Sequence, residues 1–215
     1  NGELLAACGS VLANGSALLD VKGAVNNAGG TIQAQRNLDL SAGGLLSNSG
    51  GVIETANVAS LYTISAGAIS NGSGRLVNVG GGLTSISASG AITSNGMIAG
   101  NGDLFLSSRT AQNGGTVASG GDLQLAVTQQ MQNMGTVSSA GTLRFTQAGA
   151  SFSNSGQMIA GGQATFSAAS FSGSALQSCP RRSFTSFLIS CTRSGIRFSR
   201  GICMIDHSFA AARVS

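Results

Sequence analysis

The chain is poor in charged side chains. Lys, Arg, Asp and Glu make up 8% of its 215 residues, against roughly 25% in typical soluble domains. A helical globular protein carries more charge than this on its outer faces, so the composition disfavours that class. Trp is absent and Pro, Tyr and His occur once each, whereas Gly occurs 33 times. Together with abundant Ser, Ala, Asn and Thr, this composition favours many short strands joined by tight turns.

Long apolar runs are also missing. None approaches the ~18–20 residues that a membrane-crossing helix needs, so no membrane insertion is predicted. The chain begins at Asn1 without a basic segment, so we predict no signal peptide there and expect an internal fragment of a longer protein. The run from Leu5 to Cys8 imitates a lipoprotein cleavage box, but it lacks the charged start and the apolar run that precede one.

The basic residues are concentrated at one end. Residues 1–177 contain five basic and six acidic side chains, whereas residues 178–215 contain six Arg and one Asp. The main body therefore has a net charge of −1 and no basic stripe of the kind that binds nucleic acid. We predict no nucleic-acid partner, despite the overall charge of +4.

The main body consists of one short unit repeated about eight times. An Asn closes each unit, and a Gly follows it after one to three residues. These positions, which we predict to form a structural corner ladder, are Asn27, Asn48, Asn71, Asn95, Asn113, Asn133, Asn154, Gly29, Gly50, Gly74, Gly96, Gly115, Gly135 and Gly156. Their spacing of about 20 residues is typical of a solenoid.

Apolar residues recur in the same register, at three positions of each unit. The first position contains Ile32, Ile53, Leu76, Ile98, Val117, Val137 and Met158. The second is a pair separated by one polar residue, as in Leu38/Leu40, Leu104/Leu106, Leu123/Leu125, Leu143/Phe145 and Ala164/Phe166. The third contains Val25, Leu46, Ile69, Ile92, Ala111, Met131, Phe152 and Phe171.

This alternation has a period of two, which predicts strands with one face inward. A single unit cannot bury its own apolar face, but units stacked at the ~4.8 Å strand spacing bury a continuous column. We therefore predict an all-β fold: a right-handed parallel β-helix (solenoid) of about eight coils of ~20 residues over residues 1–177, followed by an irregular C-terminal tail. Eight coils at that spacing form a rod about 40 Å long.

The Asn and Gly positions have a structural interpretation. Gly supplies positive φ at a corner. Asn tolerates the left-handed region, and stacked side-chain amides can form a ladder along the rod. We therefore predict that these residues shape the corners and bind no ligand.

The repeat resembles that of filamentous haemagglutinin-type exoproteins, the two-partner secretion family that includes contact-dependent inhibition proteins. The resemblance covers residues 9–173 and rests on the pattern Asn-x-Gly-Gly/Thr-Ile/Val followed by Gly-Asp-Leu-x-Leu. It is carried by Asn48–Ile53, Asn113–Val117, Gly121–Leu125 and Asn133–Val137.

The resemblance implies a secreted Gram-negative virulence protein at the bacterial cell surface, associated with the outer membrane. It implies an adhesin stalk for cell adhesion or haemagglutination that is not an enzyme and needs no cofactor. The implied partners are a host or bacterial cell-surface receptor or carbohydrate, and an outer-membrane transporter for the parent protein. The alternative within the family is the shaft of a contact-dependent growth inhibition toxin-delivery protein.

A β-helical polysaccharide-active enzyme is a further alternative. Such enzymes need converging carboxylates, and Asp103 and Asp122 occupy equivalent turn positions in adjacent units. At the strand spacing they would lie about 5 Å apart. The corresponding residues in other units include Asn37, Thr142 and Gln163, so a polar turn position is favoured over a catalytic pair. A Ca²⁺-binding solenoid is disfavoured because its Gly-Gly-x-Gly-x-Asp run does not occur.

The tail, residues 178–215, is basic and rich in Cys, Arg and Ser. The abrupt change favours a segment that does not continue the repeat, as a frameshift would produce. The alternatives are a capping or linker segment, a basic tail that binds a membrane or nucleic acid, and a metal site. The metal site is disfavoured because Cys179, Cys191, Cys203 and His207 lack the paired spacing of zinc ligands.

Overall fold

The computed structural model describes residues 2–56, 61–173 and 187–191. Every regular element in these ranges is a β-strand. In chain order the strands are β1 (Leu4–Leu5), β2 (Ser10–Ala13), β3 (Ala17–Val21), β4 (Val25–Asn26), β5 (Thr31–Ala34), β6 (Leu38–Ser47), β7 (Val52–Thr55), β8 (Tyr62–Asn71), β9 (Arg75–Asn78), β10 (Thr84–Ala88), β11 (Ala91–Ser94), β12 (Met97–Gly100), β13 (Leu104–Asn113), β14 (Thr116–Ser119), β15 (Leu123–Asn133), β16 (Thr136–Ser139), β17 (Leu143–Asn154), β18 (Gln157–Ala160), β19 (Ala164–Gly173) and β20 (Phe187–Cys191).

The strands form two sheets. The first has 12 strands, in the order β1-β4-β6-β8-β10-β13-β15-β17-β19-β20, with β3 beside β6 and β11 between β8 and β13. The second has eight strands, in the order β18-β16-β14-β12-β9-β7-β5-β2. The pairs within both sheets are parallel. Such pairing of strands one coil apart is the topology of a β-solenoid.

The chain passes alternately through the two sheets. Each coil has a short strand in the second sheet and a longer path through the first, with a corner after each. The eight coils are β2–β4, β5–β6, β7–β8, β9–β11, β12–β13, β14–β15, β16–β17 and β18–β19. Val117 pairs with Val137 directly beside it in the second sheet. The predicted parallel solenoid of about eight coils is therefore confirmed.

The core consists of the three predicted apolar columns. In the second sheet, Ile32 pairs with Ile53, and the column continues without a register break to Met158. All seven members are buried. The column that begins at Val25 is also buried except for Phe171, which is half-buried. The intervening residues Gln124 and Arg144 are exposed, as predicted.

Aromatic rings fill the last two coils. Phe152 lies edge-on to Phe145 with 4.8 Å between the ring centroids, and it stacks on Phe171 at 5.4 Å with an interplanar angle of 7°. Phe166 is also edge-on to Phe152, at 5.6 Å. Offset and edge-to-face contacts of this kind add to the stabilisation that burial gives.

Part of the predicted tail continues the first sheet. Strand β20 pairs with β19 in parallel, with Ala164 opposite Phe187. The remaining residues of 178–215, including Cys179, Cys203 and His207, lie outside the described residues, and so does the predicted boundary at residue 177.

Tyr62 is the largest fully buried side chain of the described core. Its phenol crosses the interior and donates a hydrogen bond to the Ile53 carbonyl, at 2.8 Å. Burial, with a smaller contribution from the Glu54 carboxylate, raises the pKa of Tyr62 well above its ordinary value of 10.0. The folded protein therefore keeps this phenol protonated at a pH where an unfolded chain releases the proton.

We expect alkaline pH to weaken the fold through Tyr62. Because the folded-state pKa is raised, the contribution of the neutral phenol to stability is fully present below about pH 10 and is lost as pH rises toward the folded-state pKa. The chain has one Tyr and no Trp, so the absorbance of tyrosinate reports this group alone. Thermal melts from pH 8 to 11.5 should show a steeper loss of stability for the native chain than for Tyr62→Phe. A phenol that titrates near pH 10 while the circular dichroism stays native would contradict this expectation.

Candidate functional site

The most regular polar feature of the rod is a buried row of side-chain amides at one corner, which we call the amide ladder. It comprises Asn27, Asn48, Asn71, Ser94, Asn113, Asn133 and Asn154, all of which are buried. The backbone places these residues in one column because each closes the first-sheet strand of its coil. The ladder therefore forms part of the core rather than a solvent-facing recess.

Each amide donates to the next coil. The Nδ2–Oδ1 distance is 2.8 Å from Asn27 to Asn48 and 2.9 Å from Asn48 to Asn71. It is 2.8 Å from Asn113 to Asn133 and again from Asn133 to Asn154. Because every donor has the same direction, the amide dipoles align along the rod and strengthen one another.

In the first five of the six Asn side chains, a further hydrogen bond from Nδ2 joins the corner to the second sheet. Asn48 Nδ2 donates to the Arg75 carbonyl at 3.1 Å, and Asn133 Nδ2 donates to the Gln157 carbonyl at 3.0 Å. Asn27, Asn71 and Asn113 make the equivalent bond at 3.0–3.1 Å. One side chain thus bonds both to the amide of the next coil and to the strand that begins the coil after that.

The prediction for Asn95 is wrong. Ser94, one residue earlier, pairs with both Asn71 and Asn113, and Asn95 is exposed at the corner. Asn71 Nδ2 donates to Ser94 Oγ at 3.1 Å. The shorter serine side chain does not reach the next coil, and Asn113 Oδ1 is buried without a hydrogen-bond partner among the described residues. The ladder therefore consists of two amide segments, and the chain of side-chain hydrogen bonds is interrupted between Ser94 and Asn113.

The predicted glycines divide into two groups. Gly29 and Gly50 have φ of 63°, so the prediction of positive φ at the corner is confirmed for them. It is wrong for Gly74, Gly96, Gly115, Gly135 and Gly156, which lack positive φ. At these five positions a Cβ atom would overlap a backbone oxygen of the preceding coil, so close approach of the coils is what requires Gly.

In the first two corners, the glycines that lie close to the backbone of the preceding coil are Gly30 and Gly51. The sequence prediction missed both. A Cβ at either would overlap a backbone oxygen of the preceding coil, as at Gly74. The signal was present, because Gly30 and Gly51 precede Ile32 and Ile53 by the same two residues that separate the later glycines from their apolar partners.

Asp103 and Asp122 cap backbone groups. Asp103 Oδ1 accepts the N–H of Asp122 at 2.8 Å, and Asp122 Oδ1 accepts the N–H of Thr142 at 2.7 Å. Asn37 Oδ1 accepts the N–H of Leu61 in the same way, at 2.9 Å. The interpretation of this position as a polar turn is supported, because a neutral amide and a carboxylate make the same contact there.

Two serine hydroxyl groups occupy equivalent corner positions in adjacent coils. Ser119 Oγ lies 2.8 Å from the carbonyl oxygens of Gly102 and Asp122, and Ser139 Oγ lies 2.9 Å from those of Gly121 and Thr142, so each hydroxyl can donate its one proton to either carbonyl. Sequence reasoning did not single out these two serines. In the described ranges, no three His, Cys, Asp or Glu residues are grouped as metal ligands would be.

We expect Asn133→Ala to destabilise the rod. The change removes the acceptor of the Asn113 amide and the donor to Asn154 and Gln157, and each unsatisfied buried group costs about 1–3 kcal/mol. Asn95→Ala is the matched control, and its effect should stay within about 0.5 kcal/mol because Asn95 is exposed. Thermal melting and amide hydrogen exchange in the sixth and seventh coils measure the loss of stability in both variants. Equal losses for the two variants would show that the ladder does not stabilise the fold.

We also expect Ser94→Asn to stabilise the rod by about 1 kcal/mol. The longer side chain can accept a hydrogen bond from Asn71 Nδ2 and donate one to Asn113 Oδ1. A void of about 10 Å³ beside Ser94 and Asn113 gives part of the room that the added atoms need. Ser94→Ala is the control, because it leaves the Asn71 amide without its acceptor. The melting temperatures should rank Ser94→Asn above the native chain and the native chain above Ser94→Ala. The reverse order would show that the break at Ser94 does not limit the stability of the rod.

Comparison with protein-family models, with curated proteins and with solved structures finds no match for this chain. Within the residues that the structure describes, there is no helix of a length and apolar character suited to crossing a membrane. A functional proposal must therefore rest on the solenoid, on its surface and on the repeat pattern in the sequence.

Proposed function

We propose that the chain is a repeat-stalk segment of a secreted bacterial surface adhesin that mediates cell adhesion or haemagglutination without catalysis. The observation that carries the proposal is the stacking of eight coils in one register with a buried amide ladder. Such a column makes a rigid rod whose length grows with the number of coils. A rod of this kind suits display of a binding surface away from the cell.

The outer surface supports the proposal. Its strand residues are mainly Ser, Thr, Gln and Ala, and the one ion pair among the described residues is the exposed contact between Lys22 and Asp20 at 2.7 Å. A nearly neutral surface rich in hydroxyl and amide groups suits contact with carbohydrate or another cell surface by many weak hydrogen bonds. We propose that the parent protein crosses the outer membrane through a partner transporter and remains at the bacterial surface.

The polar corner contacts support a non-catalytic role. One carboxylate oxygen of Asp103 and one of Asp122 already accept backbone N–H groups of the next coil. Carbohydrate-active enzymes instead direct two carboxylates at the substrate. If the polysaccharide-active alternative were correct, Asp103→Asn would abolish turnover of a polysaccharide.

The adhesin proposal predicts that beads coated with the folded chain bind erythrocytes or epithelial cells more strongly than beads coated with albumin. Beads coated with the heat-unfolded chain should lose this binding, because the surface depends on the stacked coils. Cell counts by flow cytometry measure the difference. Binding to bacteria but not to host cells would instead favour the shaft of a contact-dependent toxin-delivery protein, and no binding to either would contradict the adhesin proposal.

A further inference from the structure

The outer face of the first sheet has a depression where β11, β13 and β15 lie side by side. Its volume is about 180 Å³, and its polar lining consists of Thr93, Thr110, Gln112, Gln130 and Gln132. Ile92 and Ala111 complete the lining. None of these seven residues is charged.

The coils that meet at the depression differ in length. The ladder advances 23 residues from Asn71 to Ser94 but only 19 from Ser94 to Asn113, which are paired. The next coil, which ends at Asn133, has 20 residues. The fifth coil is thus shorter than both of its neighbours.

A register shift forms one side of the depression. In the pairing of β13 with β15, Ser108 lies opposite Val127 and Thr110 lies opposite Gln130, so β15 has one more residue than β13 at this point. Residues 128–130, which include the extra residue, are all exposed, and Gln130 among them lines the depression. Ala111, which lies between Ile92 and Met131, has the smallest side chain of its column.

The polar groups of the depression are available to a ligand. The side-chain amides of Gln112, Gln130 and Gln132 make no hydrogen bond to other residues that the structure describes. Gln112 pairs with Gln132, and Thr110 pairs with Gln130, so amides and hydroxyls stand in two columns with a spacing of about 4.8 Å between coils. Together they present several donors and acceptors but no charge.

We propose that this depression binds one or two sugar residues of a neutral glycan. This inference rests on the adhesin function proposed above and names the ligand of one site on the rod. An extended peptide cannot add to the sheet here, because β13 already pairs on both sides. An uncharged lining does not select an anionic ligand, whereas amide and hydroxyl groups match the hydroxyls of a neutral sugar. The volume is below that of typical small-molecule pockets, so binding is weak at one site and gains strength from display on many rods.

The test uses the full chain, displayed on beads, against a printed panel of neutral oligosaccharides of hexose and N-acetylhexosamine units, with sulfated and sialylated counterparts. We expect binding to neutral members, with apparent affinity reduced at least about fivefold in Gln112→Ala and in Gln132→Ala, as expected for the loss of a hydrogen bond. Gln124→Ala is the matched control, because Gln124 is exposed on the same strand as Gln130 and Gln132 but lies outside the depression. Circular dichroism confirms that all variants are folded.

Salt dependence provides a second readout. Binding to a neutral glycan should change little between 50 and 500 mM NaCl, because screening acts on charges. Binding restricted to anionic members and lost at high salt would overturn the proposal and point to exposed cations such as Arg109. Neutral binding that Gln112→Ala and Gln132→Ala leave unchanged, or no neutral binding at all, would also overturn it.

The same variants separate this inference from the adhesin function. If the native chain binds cells but no neutral glycan, or if Gln112→Ala and Gln132→Ala bind neutral glycans as well as the native chain does, the depression is not the site although the rod is adhesive. If the native chain binds no cells, the adhesin function fails whatever the glycan panel shows.

Discussion

Backbone hydrogen bonding between coils is the constraint on which the rest of this structure depends. Each strand of a coil pairs in parallel with the strand of the next coil at the same sheet position, as Thr116–Ser119 does with Thr136–Ser139. The fixed spacing of parallel strands places equivalent side chains about 4.8 Å apart. Side chains at that distance must be compatible with copies of themselves. Aliphatic, amide and hydroxyl groups meet this requirement, whereas like charges repel, which explains why so few residues are charged.

The amide ladder meets this requirement at the corner, where apolar packing alone would leave backbone carbonyls unsatisfied. An Asn side chain has two donor protons and one acceptor oxygen, so it can accept from one neighbour and donate to the next while keeping a proton for the backbone. Asn133 does all three. Ser94 has one oxygen and one proton, and the chain of bonds stops there with Asn113 Oδ1 unpaired among the described residues. The break coincides with the change from a 23-residue coil to a 19-residue coil.

The fold could be predicted well from the sequence because the same pattern of apolar and polar residues recurs in every coil. Eight copies in register revealed the inward columns, and a column such as Ile98, Val117, Val137 and Met158 needs no knowledge of distant contacts. The errors fall where the backbone rather than the side chain decides the register. The ladder position of the fourth coil is Ser94, and Asn95 is only its neighbour. The sequence alone does not show that β11 ends at Ser94 rather than at Asn95. In the first two corners, Gly29 and Gly30 are adjacent glycines with different roles, and only the approach of the preceding coil distinguishes them.

Surface shape was the least predictable property, because it arises from differences between coils rather than from the repeat. The inward columns keep their register over all eight coils, so insertions must be placed outside them. They fall in the middle of the first-sheet strands: the extra residue lies between Ala42 and Leu45 in β6, between Val127 and Gln130 in β15, and between Phe145 and Ser151 in β17. Each insertion changes the outer wall while Val127, Met131 and their neighbours remain buried. A solenoid can thus vary its exterior without altering its core, and the depression beside Gln112 is where two such changes meet. A repeat that is uniform inside can therefore present distinct sites outside.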